Sequence, residues 1–107
     1  MKAFATALAV ALPALALPGA GADSSQPAKS RLCTPCHGPL GISVQPDAPN
    51  LAGQPRGYVV AQLEAFRSGK RAHAQMTLIA KSLTDAEILE LAEWFSAIAV
   101  EAKPPPR

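Results

Sequence analysis

The chain has 107 residues, enough for one small domain at most. Ten Lys/Arg against eight Asp/Glu give a net charge of +2, too small an excess to name a partner, and no nucleic acid is expected. Aromatic residues make up only 5%, so a chain this short needs a staple or a bound group to complete its interior.

The N-terminus does not read as folded sequence. Lys2 supplies a positive charge, residues 3–17 are almost entirely Ala, Leu and Val, and Ala20-Gly21-Ala22 follows as a small-x-small cleavage signature. That order is a secretory signal peptide, expected over 1–22, with a mature start at Asp23. A membrane anchor is the competing reading. Pro13 and Pro18 interrupt the apolar run, and it falls short of the about 20 residues that a spanning helix needs.

A first helix is expected over 25–36, with Pro27 in its first turn and Leu32 as its clearest apolar contact. Residues 38–53 are rich in Gly and Pro without clear periodicity, and read as a long loop. A loop of that length in a compact domain is usually functional. A second helix is expected over 55–68, with Pro55 early, Gly69 as its stop, and Val59, Leu63 and Phe66 on one face. A short helical piece is expected over 78–81. The last helix opens with the capping box Thr84-Asp85-Ala86-Glu87, has Leu83 and Ile88 at the staple positions, and carries the apolar stripe Ile88, Leu91, Ala92, Phe95 and Ile98. Pro104-Pro105-Pro106 marks an extended, exposed tail over 101–107. No strand signal emerges, so the fold class is all-α. No repeat, nucleotide-binding glycine loop or Ser-His-Asp set is present.

Charge is distributed unevenly. Arg67, Lys70, Arg71 and Lys81 fall in one region, and Asp85, Glu87, Glu90 and Glu93 in the next. Such polarity either orients a docking partner or belongs to two ordinary solvated surfaces.

The chemistry concentrates in Cys33-Thr34-Pro35-Cys36-His37, which holds both cysteines and one of the two histidines. A thioredoxin-type dithiol wants a βαβ context, and no strands flank the motif. A structural zinc site wants two spaced ligand pairs, whereas Cys36 and His37 are adjacent and only His73 remains as a fourth ligand. A simple disulfide leaves the histidine without a purpose. Cys-x-x-Cys-His is also the attachment signature of c-type haem. Two thiols three residues apart can hold one porphyrin edge through thioethers while His37 ligates iron. Haem attachment outside the cytoplasm agrees with the signal peptide. His37 should donate its other ring N–H to a fixed acceptor.

Once 1–22 are removed, Met76 is the only methionine left. A sole methionine in a polar-flanked loop between two helices is the candidate for the sixth iron ligand. Its competitors are His73 as ligand and a plain packing role for Met76. Met/His ligation raises the reduction potential, and a closed six-coordinate iron leaves no position for substrate. Electron transfer is therefore expected, not catalysis.

The chain resembles the class I c-type cytochromes, the small bacterial kind, and in particular one domain of the two-haem bacterial cytochromes. The resemblance runs from about Ser25 to Ala99. It rests on Cys33 to Gly38, Pro49-Asn50-Leu51-Ala52-Gly53, Gln54 with the helix Tyr58 to Arg71, Met76, and the capped last helix with Trp94-Phe95. Only one haem motif is present, and the methionine lacks the preceding proline of many relatives.

The resemblance implies a domain over 23–100 of three to four helices wrapped around one covalent haem c. It implies that Pro49 gives its carbonyl to His37, that Leu51 packs on the haem, and that Tyr58 also lies near it. The last helix should pack across the first, leaving one haem edge exposed for electrons. A periplasmic one-electron carrier with periplasmic redox partners is implied, the basic run Arg67 to Arg71 selecting an acidic partner. Alternatives are a dedicated outlet subunit of a periplasmic dehydrogenase and, further off, an open-site haem enzyme or gas sensor.

Overall fold

In a computed structural model, residues 1–3, 9–15 and 25–107 are described. The cleavage signature at 20–22, the expected mature start at 23, and parts of the apolar run at 4–8 and 16–17 lie outside the described residues.

The expected first helix is two pieces. A 3₁₀ turn covers Ala28–Leu32, and helix α1 covers Thr34–His37. Pro35 explains the break. It has no N–H to donate, and its ring would collide with the carbonyl four residues back in a continuous α-helix. At the start of α1 it is harmless, since the first amides have no intrahelical partner. The joint is held instead by Ser30, which is buried. Its carbonyl accepts from Cys33 N–H at 2.9 Å and from the Thr34 hydroxyl at 3.3 Å.

Helix α2 spans Arg56–Ser68, capped by Pro55 and stopped by Gly69 at φ 82°. Helix α3 spans Ala74–Lys81, twice the length of the expected piece. Apolar periodicity was visible only in its second half. Its first half is fixed by a cap from the His73 ring, a cue that the usual Ser/Thr/Asp/Asn preference does not supply. Helix α4 spans Asp85–Ala97, and both arms of its capping box form. The Thr84 hydroxyl accepts Glu87 N–H at 3.2 Å, and the Glu87 carboxylate accepts Thr84 N–H at 2.9 Å. No strand occurs among the described residues.

The core lies where α2 and α4 meet. Leu83, Ile88, Leu91 and Phe95 form its centre, with Cys33, Leu51, Val60, Leu63, Trp94 and Ile98 packed around them. The staple pair Leu83 and Ile88 is buried at both ends, which fixes the entry to α4. Helix α2 packs on both α3 and α4, and α4 reaches the 3₁₀ turn. The last helix thus contacts the first segment at its 3₁₀ turn. Cys33 is the point where the motif enters the core.

Candidate functional site

Helix α1 is a single turn, so it presents Cys33, Cys36 and His37 together. His37 N–H bonds the Cys33 carbonyl at 2.8 Å, and Cys36 N–H bonds it at 3.3 Å. The two cysteines form no disulfide with each other, and both are half-buried. Burial pushes the Cys33 thiol up to about 11. That disfavours the Cys33 thiolate, which a redox dithiol needs. A thioether carries no charge and bears no such penalty. Among the described residues, no group of three or more His, Cys, Asp or Glu could hold a metal ion. His73 accordingly does not complete a zinc set with the motif.

The His37 ring is buried, at 6% exposure. Its Nδ1 lies 2.7 Å from the Pro49 carbonyl oxygen. A carbonyl can only accept, so Nδ1 carries the hydrogen and Nε2 keeps its lone pair for a metal. Pro49, the residue whose carbonyl the resemblance assigns to His37, lies at this contact.

Pro49 is held by a loop that is pinned at both ends. Val44 N–H bonds the Cys36 carbonyl at 3.1 Å, tying the loop to the motif. Leu51 N–H and Ala52 N–H bond the Gly41 carbonyl at 2.7 and 3.0 Å, and Gly53 N–H bonds the Phe95 carbonyl of α4 at 2.9 Å. Between these ends, the Asn50 side chain accepts Ser43 N–H at 2.7 Å. Gly41, at φ 75°, makes the close approach: a Cβ there would sit 2.8 Å from the Ala52 nitrogen and 2.9 Å from the Phe95 ring. Asn50 and Gly41 went unassigned in the sequence reading, because their work is purely backbone support. The only cue was the polar, glycine-rich composition of the loop.

The other candidates fall on three elements. Leu51 is half-buried against the core. Tyr58 stands on α2, 51% exposed. Met76 is half-buried and lies in α3, not in the loop that the flanking polar residues suggested. Its N–H is bonded by the His73 ring at 3.2 Å. Leu40, Ile42 and Val44 of the loop, and Leu78 of α3, expose large apolar side chains. Apolar surface on both the motif side and the methionine side suits a flat, mostly apolar group such as a porphyrin. Two anchoring thiols, a histidine with a fixed tautomer and a thioether-bearing methionine therefore fit a covalent haem.

One ion pair, Arg67–Asp85, joins the two charged regions. Arg67 bonds the Asp85 carboxylate at 2.5 Å and the Leu83 carbonyl at 3.2 Å. Arg71 bonds Gln62 at 2.6 Å and lies 4.5 Å over the Phe66 ring. Glu93 pairs with Arg56, and Glu87 with Lys29. Most of the expected docking charge is thus committed within the chain. Lys70 and Lys81 join no ion pair among the described residues.

The chain is 44% identical over 82 residues to a cytochrome c4 of Thiocapsa roseopersicina, matching 76% of this chain and 42% of the relative. A thiosulfate dehydrogenase electron acceptor of Stutzerimonas stutzeri is 41% identical over 69 residues, matching 62% of this chain and 32% of the relative. Cytochrome c-554(548) of Halomonas halodenitrificans is 37% identical over 68 residues, matching 61% of this chain and 82% of the relative. Among solved structures, Acidithiobacillus ferrooxidans cytochrome c4 aligns with a TM-score of 0.59 at 39% identity, over 62% of this chain and 38% of that one. The chain spans about two fifths of the length of the cytochromes c4 it matches. No family model matches it.

Proposed function

Because the chain belongs to the class I c-type cytochromes, we propose that it carries one electron at a time on a single covalent haem c, which Cys33 and Cys36 would anchor as thioethers and whose iron His37 and Met76 would ligate. The observation that carries this reading is the His37–Pro49 contact at 2.7 Å. It prepares one ring nitrogen for iron before any ligand arrives.

When bound, haem iron supplies reversible one-electron chemistry. The chain's own residues do the rest. Cys33 and Cys36 fix one edge of the group. The Pro49 carbonyl keeps His37 in one tautomer and one orientation, which raises its basicity as a ligand. Leu51 and Tyr58 add packing around the site. Met76 would be the second iron ligand, and a methionine there would raise the potential relative to a second histidine. The protein is a carrier and not an enzyme.

Residues 1–22 act as an export leader, 23–100 as the haem domain and 101–107 as an exposed tail. The site of action is the periplasm, with redox proteins of that compartment as donor and acceptor. Among the described residues no helix is long and apolar enough to cross a membrane. Similarity to a thiosulfate dehydrogenase electron acceptor favours a second reading, in which a periplasmic dehydrogenase is the fixed donor.

A visible spectrum and a redox titration of the exported protein test the main reading. The weak red-end absorption of methionine-bound ferric haem and a one-electron Nernst slope are expected. Rapid carbon monoxide binding by the reduced protein would overturn it in favour of an open site. Co-purification with a dehydrogenase would select the second reading.

A further inference from the structure

Helix α3 has only eight residues, too short to be stable without support from its ends and its packing. Its second half has both: Ala80 is fully buried, and Leu83 N–H bonds the Ala80 carbonyl at 3.1 Å just past the helix. Its first half is different. His73, Ala74 and Gln75 are exposed, and Met76 follows directly. What holds this turn is His73. The ring Nδ1 accepts Met76 N–H at 3.2 Å, and the His73 carbonyl accepts Thr77 N–H at 2.8 Å. Accepting at Nδ1 places the ring hydrogen on Nε2.

The capping ring is itself tethered to α2. It meets the Phe66 ring edge-on, with centroids 6.4 Å apart at 71°. Phe66 is buried and also carries the Arg71 guanidinium at 4.5 Å. Arg71 returns to α2 through Gln62, and its N–H bonds the Ala65 carbonyl at 3.1 Å. A continuous path therefore runs from the buried face of α2 through Phe66 and His73 to the backbone of Met76.

We propose that His73 is a positioning residue for Met76: its ring caps the methionine's own amide and ties that turn of α3 to Phe66, so that Met76 is held ready as the sixth ligand. The proposal rests on the reading of Met76 as that ligand. It assigns His73 a role in ligation without contact to the iron. An acceptor at this position is what matters, so asparagine should substitute for it and an apolar side chain should not.

The test uses the exported haem protein with His73→Ala, His73→Asn and Met76→Ala, read by the red-end methionine band and by carbon monoxide uptake of the reduced protein. His73→Ala should weaken the band several-fold and speed uptake at least tenfold at a temperature where far-ultraviolet circular dichroism shows an intact fold. His73→Asn should restore both. If Met76→Ala abolishes the band while His73→Ala leaves it unchanged, His73 has no positioning role and the ligand reading survives. If Met76→Ala leaves the band intact, the ligand reading fails and takes the proposal with it. Failure of asparagine to rescue overturns capping as the mechanism. Amide exchange in the unmodified protein supplies an arm free of folding defects: Met76 N–H should exchange at least tenfold slower than a free amide, and an unprotected amide overturns the proposal.

Discussion

Nδ1 of His37 lies 2.7 Å from the carbonyl oxygen of Pro49, twelve residues along the chain, and this contact decides which ring nitrogen can bind a metal. The acceptor belongs to the backbone, so no side-chain substitution removes it. What can be changed is the loop that holds it. Asn50, next in sequence, accepts Ser43 N–H and closes that loop. Asn50→Ala should cost about 1 kcal/mol of stability by denaturant unfolding. It should also speed solvent exchange of the His37 Nδ1 proton, seen by nitrogen-15 NMR. Unchanged exchange would mean that the loop's other ties suffice.

The state of Cys33 is open to a pH test. A free Cys33 thiol would titrate near 11 in the folded chain, raised by burial from the ordinary 9.0. The folded state would then keep its proton at a pH where the unfolded state has lost it. Stability would be complete below pH 9 and would fall as pH rises toward 11, by about 2–3 kcal/mol. A thioether does not titrate. The exported protein should therefore lack this fall, and a thiol assay under denaturing conditions should find neither cysteine free. The double change Cys33→Ser/Cys36→Ser should release its haem on a denaturing gel.

Glycine positions separate two costs. Gly41 and Gly69 both have positive φ, at 75° and 82°. At Gly69 an added Cβ meets nothing within 4 Å, so Gly69→Ala should cost only the backbone term of about 1 kcal/mol. At Gly41 the Cβ would strike the Ala52 nitrogen and the Phe95 ring. Gly41→Ala should cost at least twice as much and broaden the His37 signals, because the same loop carries Pro49. Equal unfolding midpoints for the two variants would refute the distinction.

What the sequence made legible was whatever repeats or sits in a short window. The stripe on α4, its capping box, the stop at Gly69 and the Cys-x-x-Cys-His turn are all local patterns, and all appear as read. The Pro49 role came through family resemblance, since nothing in residues 38–53 alone says which carbonyl reaches His37. The expected span 25–36 runs across Pro35, and Pro35 is what divides it into a 3₁₀ turn and a separate helix. Helix α3 was cut short because its cap is a histidine, a rare choice. Charge was legible as composition but not as pairing. Arg67 and Asp85 are eighteen residues apart, and only the packing of α2 against α4 brings them together.

The α4 cap gives a quantitative check on local reading. Thr84→Ala removes one arm of the capping box and should cost about 1–2 kcal/mol, while Thr84→Ser should cost far less. Leu91→Ala in the core beneath should cost about 2–5 kcal/mol. Chemical unfolding followed at the Soret band and at Trp94 fluorescence should give coincident transitions for all three, since α4 and the site share one core. Separated transitions would show that the loop around His37 melts on its own.

The basic run divides into structural and available charges. Arg67 and Arg71 are engaged with Asp85, Leu83, Gln62 and Phe66, so neutralising either should lower stability first. An exposed pair such as Arg67–Asp85 contributes at most about 1 kcal/mol by itself. The Leu83 carbonyl, however, loses its donor as well. Lys70 joins no ion pair among the described residues, so Lys70→Gln should leave the unfolding midpoint in place. If an acidic partner docks at this end of α2, Lys70→Gln should slow second-order electron transfer several-fold at low ionic strength, and the difference should vanish as salt screens the surface. A rate equal to the unmodified protein at low salt would remove α2's C-terminal end from the docking surface. Arg67→Gln, measured beside it, separates a rate lost through docking from one lost through unfolding.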